Sequence, residues 1–138
     1  MQMSSIDNII RLSINRLGDA LNNQLVIIRD IENIMHQAVV DPAKMVDLKK
    51  LLDNLRYVRR RLRSEMNIIY SNYHSIDSKE LALDIETLAR YYIEVAWKTE
   101  TRILKEVSKL LDTQHDLNEV IANKKLAERI VDRLNSKD

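Results

Sequence analysis

The densest chemistry in this sequence is one run, Arg56-Tyr57-Val58-Arg59-Arg60-Arg61-Leu62-Arg63. On a helix, Lys49, Arg56, Arg60 and Arg63 fall within about a 60° arc, because the turn repeats every 3.6 residues. They form a basic ridge, with Arg61 further round beside Tyr57. A row of guanidinium groups can grip the phosphates of a nucleic-acid backbone. Guanidinium also matches a carboxylate in a flat two-bond contact, so an acidic protein partner suits the same ridge. The plain alternative is a solvated face balanced by acids such as Asp84, Glu86 and Glu94.

Other chemistry is sparse. His36, His74 and His115 each fall near the end of a predicted helix, where the helix dipole favours a cation. Alternating helices would put His36 and His115 at one end and His74 at the other, so the three cannot share a metal. No Glu-x-x-His pair of the di-iron bundles occurs, and no His-Glu-x-x-His. One glycine cannot build a phosphate-cradling loop, and no cysteine exists to act as nucleophile or ligand. The expectation is a chain with no catalytic residues, no cofactor and no metal.

The positioning elements are legible in the composition. The 138 residues are 45% hydrophobic and 31% charged, with one Gly, one Pro and no Phe. Sheets need turns, and turns need Gly and Pro. Such unpunctuated sequence predicts few, long helices in one domain spanning residues 1–138. The net charge of +1 hides a bias: residues 41–73 carry 8 basic and 4 acidic groups, and no other stretch is so one-sided. The first residues show no secretory leader and no run of 18 apolar residues occurs. These features predict an intracellular, cytoplasmic protein with no membrane partner.

Hydrophobic spacing predicts helices over about 5–38, 42–73, 78–112 and 117–134. The first has Ser4 or Ser5 as cap and a seam of Ile10, Ile14, Leu17, Leu21, Gln24, Ile28, Ile31, Met35 and Ala38. Gly18 beside that seam either permits close helix approach or is a tolerated surface residue. Asp41-Pro42 reads as the cap and first turn of the second helix. Its seam is Met45, Leu48, Leu52, Leu55, Arg59, Leu62, Met66, Ile69 and Tyr73. Both seams step by 3 and 4, the heptad pattern of coiled-coil packing. For the third helix, Asp77 and Glu80 make a capping box and Ile76 with Leu81 a hydrophobic staple. Its seam runs Leu81, Ile85, Leu88, Tyr92, Ala96, Thr99, Ile103, Val107 and Leu110. Asp116 with Glu119 reads as a further capping box opening the fourth. No Gly or Pro enforces that last turn, so one continuous third helix is the competing reading.

Each heptad seam has one polar interruption, Gln24 and Arg59. In a hairpin centred on Asp41-Pro42 they face each other, which predicts a shared polar layer with the Gln24 amide oxygen accepting from the Arg59 guanidinium. Such a layer fixes register at a cost in stability, so Arg59→Leu is expected to keep or raise stability. The other reading is that Arg59 snorkels to solvent. The consecutive Val26, Ile27 and Ile28 cannot all face one seam, and Tyr91 and Trp97 fall off theirs. Val26, Ile27, Tyr91 and Trp97 are therefore candidates for a protein interface, with burial against neighbouring helices as the alternative.

These observations together predict an all-α, antiparallel up-down helical bundle with coiled-coil-like packing, three long helices and a shorter fourth. The function expected is non-catalytic: protein–protein interaction or self-assembly, as a homo-oligomer or with another protein. The alternative is a nucleic-acid-associated accessory or regulatory protein using the ridge on the second helix. Small subunits of RNA-guided complexes and virus-encoded transcription regulators share this general architecture, though no motif here identifies either.

Overall fold

A computed structural model describes residues 5–136. The protein is an all-α helical bundle of four helices, and no strand occurs among the described residues. Helix α1 spans Ser5–Ala38 and α2 spans Pro42–Ser71. Helix α3 begins as an α-helix over Lys79–Tyr91, passes through a π-helical turn at Tyr92–Ala96 and continues as α-helix over Trp97–Val107. Helix α4 spans Gln114–Asn135. Among the described residues, no helix is long and apolar enough to cross a membrane.

Local chemistry explains the boundaries. Asp41 is in extended conformation and its side chain accepts from the Ala43 amide at 2.9 Å, while Pro42 supplies the fixed first turn of α2. The α-helix of α2 stops at Ser71, short of the expected 73, and Tyr73–Ser75 form a 3₁₀ turn instead. Ser78 caps α3, its hydroxyl accepting from the Leu81 amide at 3.3 Å. The expected Asp77–Glu80 box is therefore displaced by one residue, whereas Ile76 and Leu81 are both buried in one apolar cluster. The Ser4 alternative for the first cap lies outside the described residues.

The turn between α3 and α4 exists, but its chemistry differs from the expected capping box. Helix α3 ends at Val107, five residues before the predicted 112, and the Leu110 and Leu111 amides both donate to the Val107 carbonyl. The buried Thr113 hydroxyl donates to the Leu104 carbonyl at 3.1 Å, pinning the link to the helix it leaves. Helix α4 then starts at Gln114, three residues early, and Asp116 sits inside its first turn rather than at its cap. A side chain that closes a link in this way replaces the missing Gly or Pro.

Packing is most extensive between α1 and α2, and α4 touches both α2 and α3. The heptad seams of α1 and α2 lie inside, from Ile10 to Ile31 and from Leu48 to Ile69. The seam of α3 is buried as expected at Leu81, Ile85, Tyr92, Ala96, Ile103 and Val107, and departs from expectation at three positions. Ala89, Glu100 and Leu104 are buried, while Leu88, Thr99 and Leu110 are half-buried. A π turn takes more residues than an α turn, so it rotates the residues that follow it and brings Glu100 rather than Thr99 inward; the exchange of Leu88 for Ala89 lies before it. Gly18 has nothing within 4 Å of the position a Cβ would take, so it permits no close approach.

Candidate functional site

One polar residue from each helix meets in the middle of the bundle. Gln24 of α1, Arg59 of α2, Glu100 of α3 and Asn123 of α4 are 2%, 1%, 0% and 1% exposed. Together they divide the interior into two apolar clusters. Leu21, Leu62, Ala96 and Leu126 lie on one side. Ile28, Leu55, Ile103 and Val120 lie on the other.

Gln24 and Arg59 share this layer, but they are joined through a third residue. The Gln24 amide nitrogen donates to Glu100 Oε1 at 2.9 Å, and Arg59 Nε donates to Glu100 Oε2 at 2.9 Å. The direct amide–guanidinium bond expected from sequence is replaced by this bridging carboxylate, and Arg59 does not snorkel. A buried guanidinium carries a full charge, and only an anion offsets it fully. Arg59 Nη1 also donates to Asp116 at 2.7 Å and to Glu119 at 2.9 Å. Asn123 completes the layer by donating its amide to the Arg59 carbonyl at 3.1 Å.

The network reaches the surface through the basic ridge. Arg56 holds Asp116 with two parallel bonds of 2.8 and 3.0 Å, the flat geometry that suits this pair. Arg60 reaches Glu119 at 3.4 Å. Arg56, Arg59 and Arg60 thus meet Glu100, Asp116 and Glu119, three charges of each sign. The acids that balance the ridge are Asp116 and Glu119 of α4 and Asp53 of α2 itself, not Asp84, Glu86 or Glu94. Glu86 instead pairs with Arg90 along its own helix. Lys49, Arg61 and Arg63 are exposed, so the ridge is not one free row.

Burial and pairing act in opposite directions on these acids. Complete burial pushes the Glu100 carboxyl up, against the Arg59 charge. Asp116 is held below the usual carboxylate range, because hydrogen bonds from Arg56 and Arg59 outweigh its desolvation. Burial, then the nearby Glu100, pushes the Tyr92 phenol up. These shifts come from a network that holds helices together. Among the described residues, Arg59 Nη2 is buried there without a hydrogen-bond partner.

The remaining candidates separate into inside and outside. Trp97 packs against both apolar clusters, and the Lys124 ammonium lies 4.2 Å over its ring. Ile27 also packs against both clusters. Tyr91 lies on the surface of α3 at 37% exposure. Val26 and Tyr57 are 54% and 67% exposed, and line the middle of a shallow groove between α1 and α2 with Asn23 and Asn54. Asp30, Asp47 and Lys50 line one end of that groove. Arg16, Arg61 and Glu65 line the other. Among the described residues, Arg16, Asp30, Asp47 and Arg61 have no ion-pair partner.

His36, His74 and His115 are all exposed. His74 lies against the Tyr73 ring, and His115 is 3.9 Å from Glu119. Among the described residues, no group of three His, Asp or Glu side chains is placed to hold a metal ion. Sequence reading missed Glu100, Asp116 and Asn123 as members of the polar layer. One signal was available: a buried Arg59 demands a carboxylate. Its source stayed hidden because the π turn sets the face of Glu100. No family model, curated protein or solved structure matches this chain.

Proposed function

We propose that this chain is a non-catalytic helical-bundle protein that acts by protein–protein association through the outer face of α1 and α2. One observation carries this reading. Val26 and Tyr57 are both exposed and line a groove whose two ends hold charges with no ion-pair partner among the described residues. Exposed tyrosine flanked by arginine is the composition of binding hot spots. The interior acids and arginines, by contrast, are engaged with one another and hold the four helices in register. A bundle fixed in this way presents a rigid two-helix surface, which lowers the ordering cost of binding.

The test is a photo-crosslinking amino acid placed at Tyr57, in cells expressing the full chain, with the same probe at the exposed Lys105 of α3 as control. Covalent protein adducts at 57 that are absent at 105 support the reading. No protein adduct at 57 removes it.

A further inference from the structure

The groove between α1 and α2 has a hidden symmetry. Asn23 and Asn54 line its middle, one from each helix. Arg16 and Asp30 each lie seven residues from Asn23, on opposite sides. Asp47 and Arg61 each lie seven residues from Asn54, again on opposite sides. Seven residues are two helical turns, so each set shares one face of its helix and spans about 21 Å. The acidic members, Asp30 and Asp47, lie at one end of the groove and the basic members, Arg16 and Arg61, at the other. All four are exposed. Lys50 and Glu65 offset one charge at each end without reversing its sign.

A surface with this pattern is its own complement. A two-fold axis in the plane of the face, passing over Asn23 and Asn54, reverses the order of residues along both helices. It carries Arg16 onto Asp30 of a second copy and Asp30 onto that copy's Arg16. It does the same for Asp47 and Arg61. Four symmetric ion pairs then flank a centre holding Val26 and Tyr57 from both copies. Such isologous contact, in which residue i meets j and j meets i, is the commonest way for identical chains to pair. Resting on the association proposed above, we infer that the occupant of the α1–α2 face is a second copy of this chain, related by that axis. The opposed charges set its register and the exposed Val26 and Tyr57 supply apolar contact.

The test is a charge-reversal pair, measured by sedimentation equilibrium on the full chain, with circular dichroism to verify folding. The acidic variant carries Arg16→Glu and Arg61→Glu. The basic variant carries Asp30→Arg and Asp47→Arg. Each alone should self-associate on the order of tenfold or more weakly than the unmodified chain, because like charges now oppose across the axis. Mixed, the two should form a one-to-one heterodimer, since every opposed pair is then complementary. Salt should weaken that heterodimer. A monomeric unmodified chain at micromolar to submillimolar concentration overturns the inference. So does a dimer that survives both reversals. If crosslinking at Tyr57 still yields adducts with other proteins, either result leaves the association reading standing and removes only the second copy.

Discussion

Replacing Arg59 by leucine takes one cation out of a network of three carboxylates. Asp116 keeps its two bonds to Arg56, and Glu119 keeps Arg60 at the surface. Glu100 is left fully buried with only the Gln24 amide as donor. Breaking one partner out of a buried pair typically costs about 3–5 kcal/mol, because the other charge stays desolvated. At an unfolding entropy of about 2.1 cal/mol/K per residue over 138 residues, that is a fall in Tm of roughly 10–17 °C. This reverses the sequence-level expectation that Arg59→Leu is neutral or stabilising, which held only for an uncharged glutamine as sole partner. The double variant Arg59→Met/Glu100→Leu removes both charges together and should recover more than half of the loss, since apolar replacement of a buried pair is often neutral. The assay is thermal unfolding followed by circular dichroism. A Tm for Arg59→Leu within about 3 °C of the parent, or a double variant no better than the single, would refute the reasoning.

Three further outcomes test the interior and the helix propensity. Glu100 binds its proton more tightly in the folded state, so its contribution is fully present below its ordinary 4.5 and is lost as pH rises through its raised folded value. Denaturant titrations across pH should therefore show that decline flattened in Glu100→Gln. Asp116 has the opposite sign: its stability is present above its ordinary 3.8 and is lost as pH falls through its lowered folded value. Asp116→Asn should therefore blunt the acid limb, and an unchanged limb would contradict the pairing with Arg56 and Arg59. Gly18→Ala fills open space in a helix, and should raise Tm by about 1–3 °C in a thermal melt. A fall would mean that the backbone there is constrained by something other than its own helix.

Much of the fold was legible because its cause is local. Asp41-Pro42 marks a cap and a first turn through the chemistry of those two residues alone. The heptads of α1 and α2 required only that apolar residues seek the interior, and they predicted the buried faces of both. The same logic paired Gln24 with Arg59 as the two polar members of those seams. The basic ridge was visible as a run of like charge, but its occupancy by Asp116 and Glu119 was not. Those acids lie far away in sequence, and Asp116 carried an equally good local reading as a helix cap.

What sequence alone determined here was helicity, the approximate helix limits, and the polar interruptions that interior packing must accommodate. What only the tertiary structure decided was the partner of each charge. A turn of π-helix at Tyr92–Ala96 sets the face of α3 that turns inward and so the burial of Glu100 rather than Thr99. The link from α3 to α4 brings Asp116 within 2.7 Å of Arg59. Periodicity records which residues share a face of one helix. Charge pairing depends on the rotation and register of different helices, which the whole bundle fixes at once.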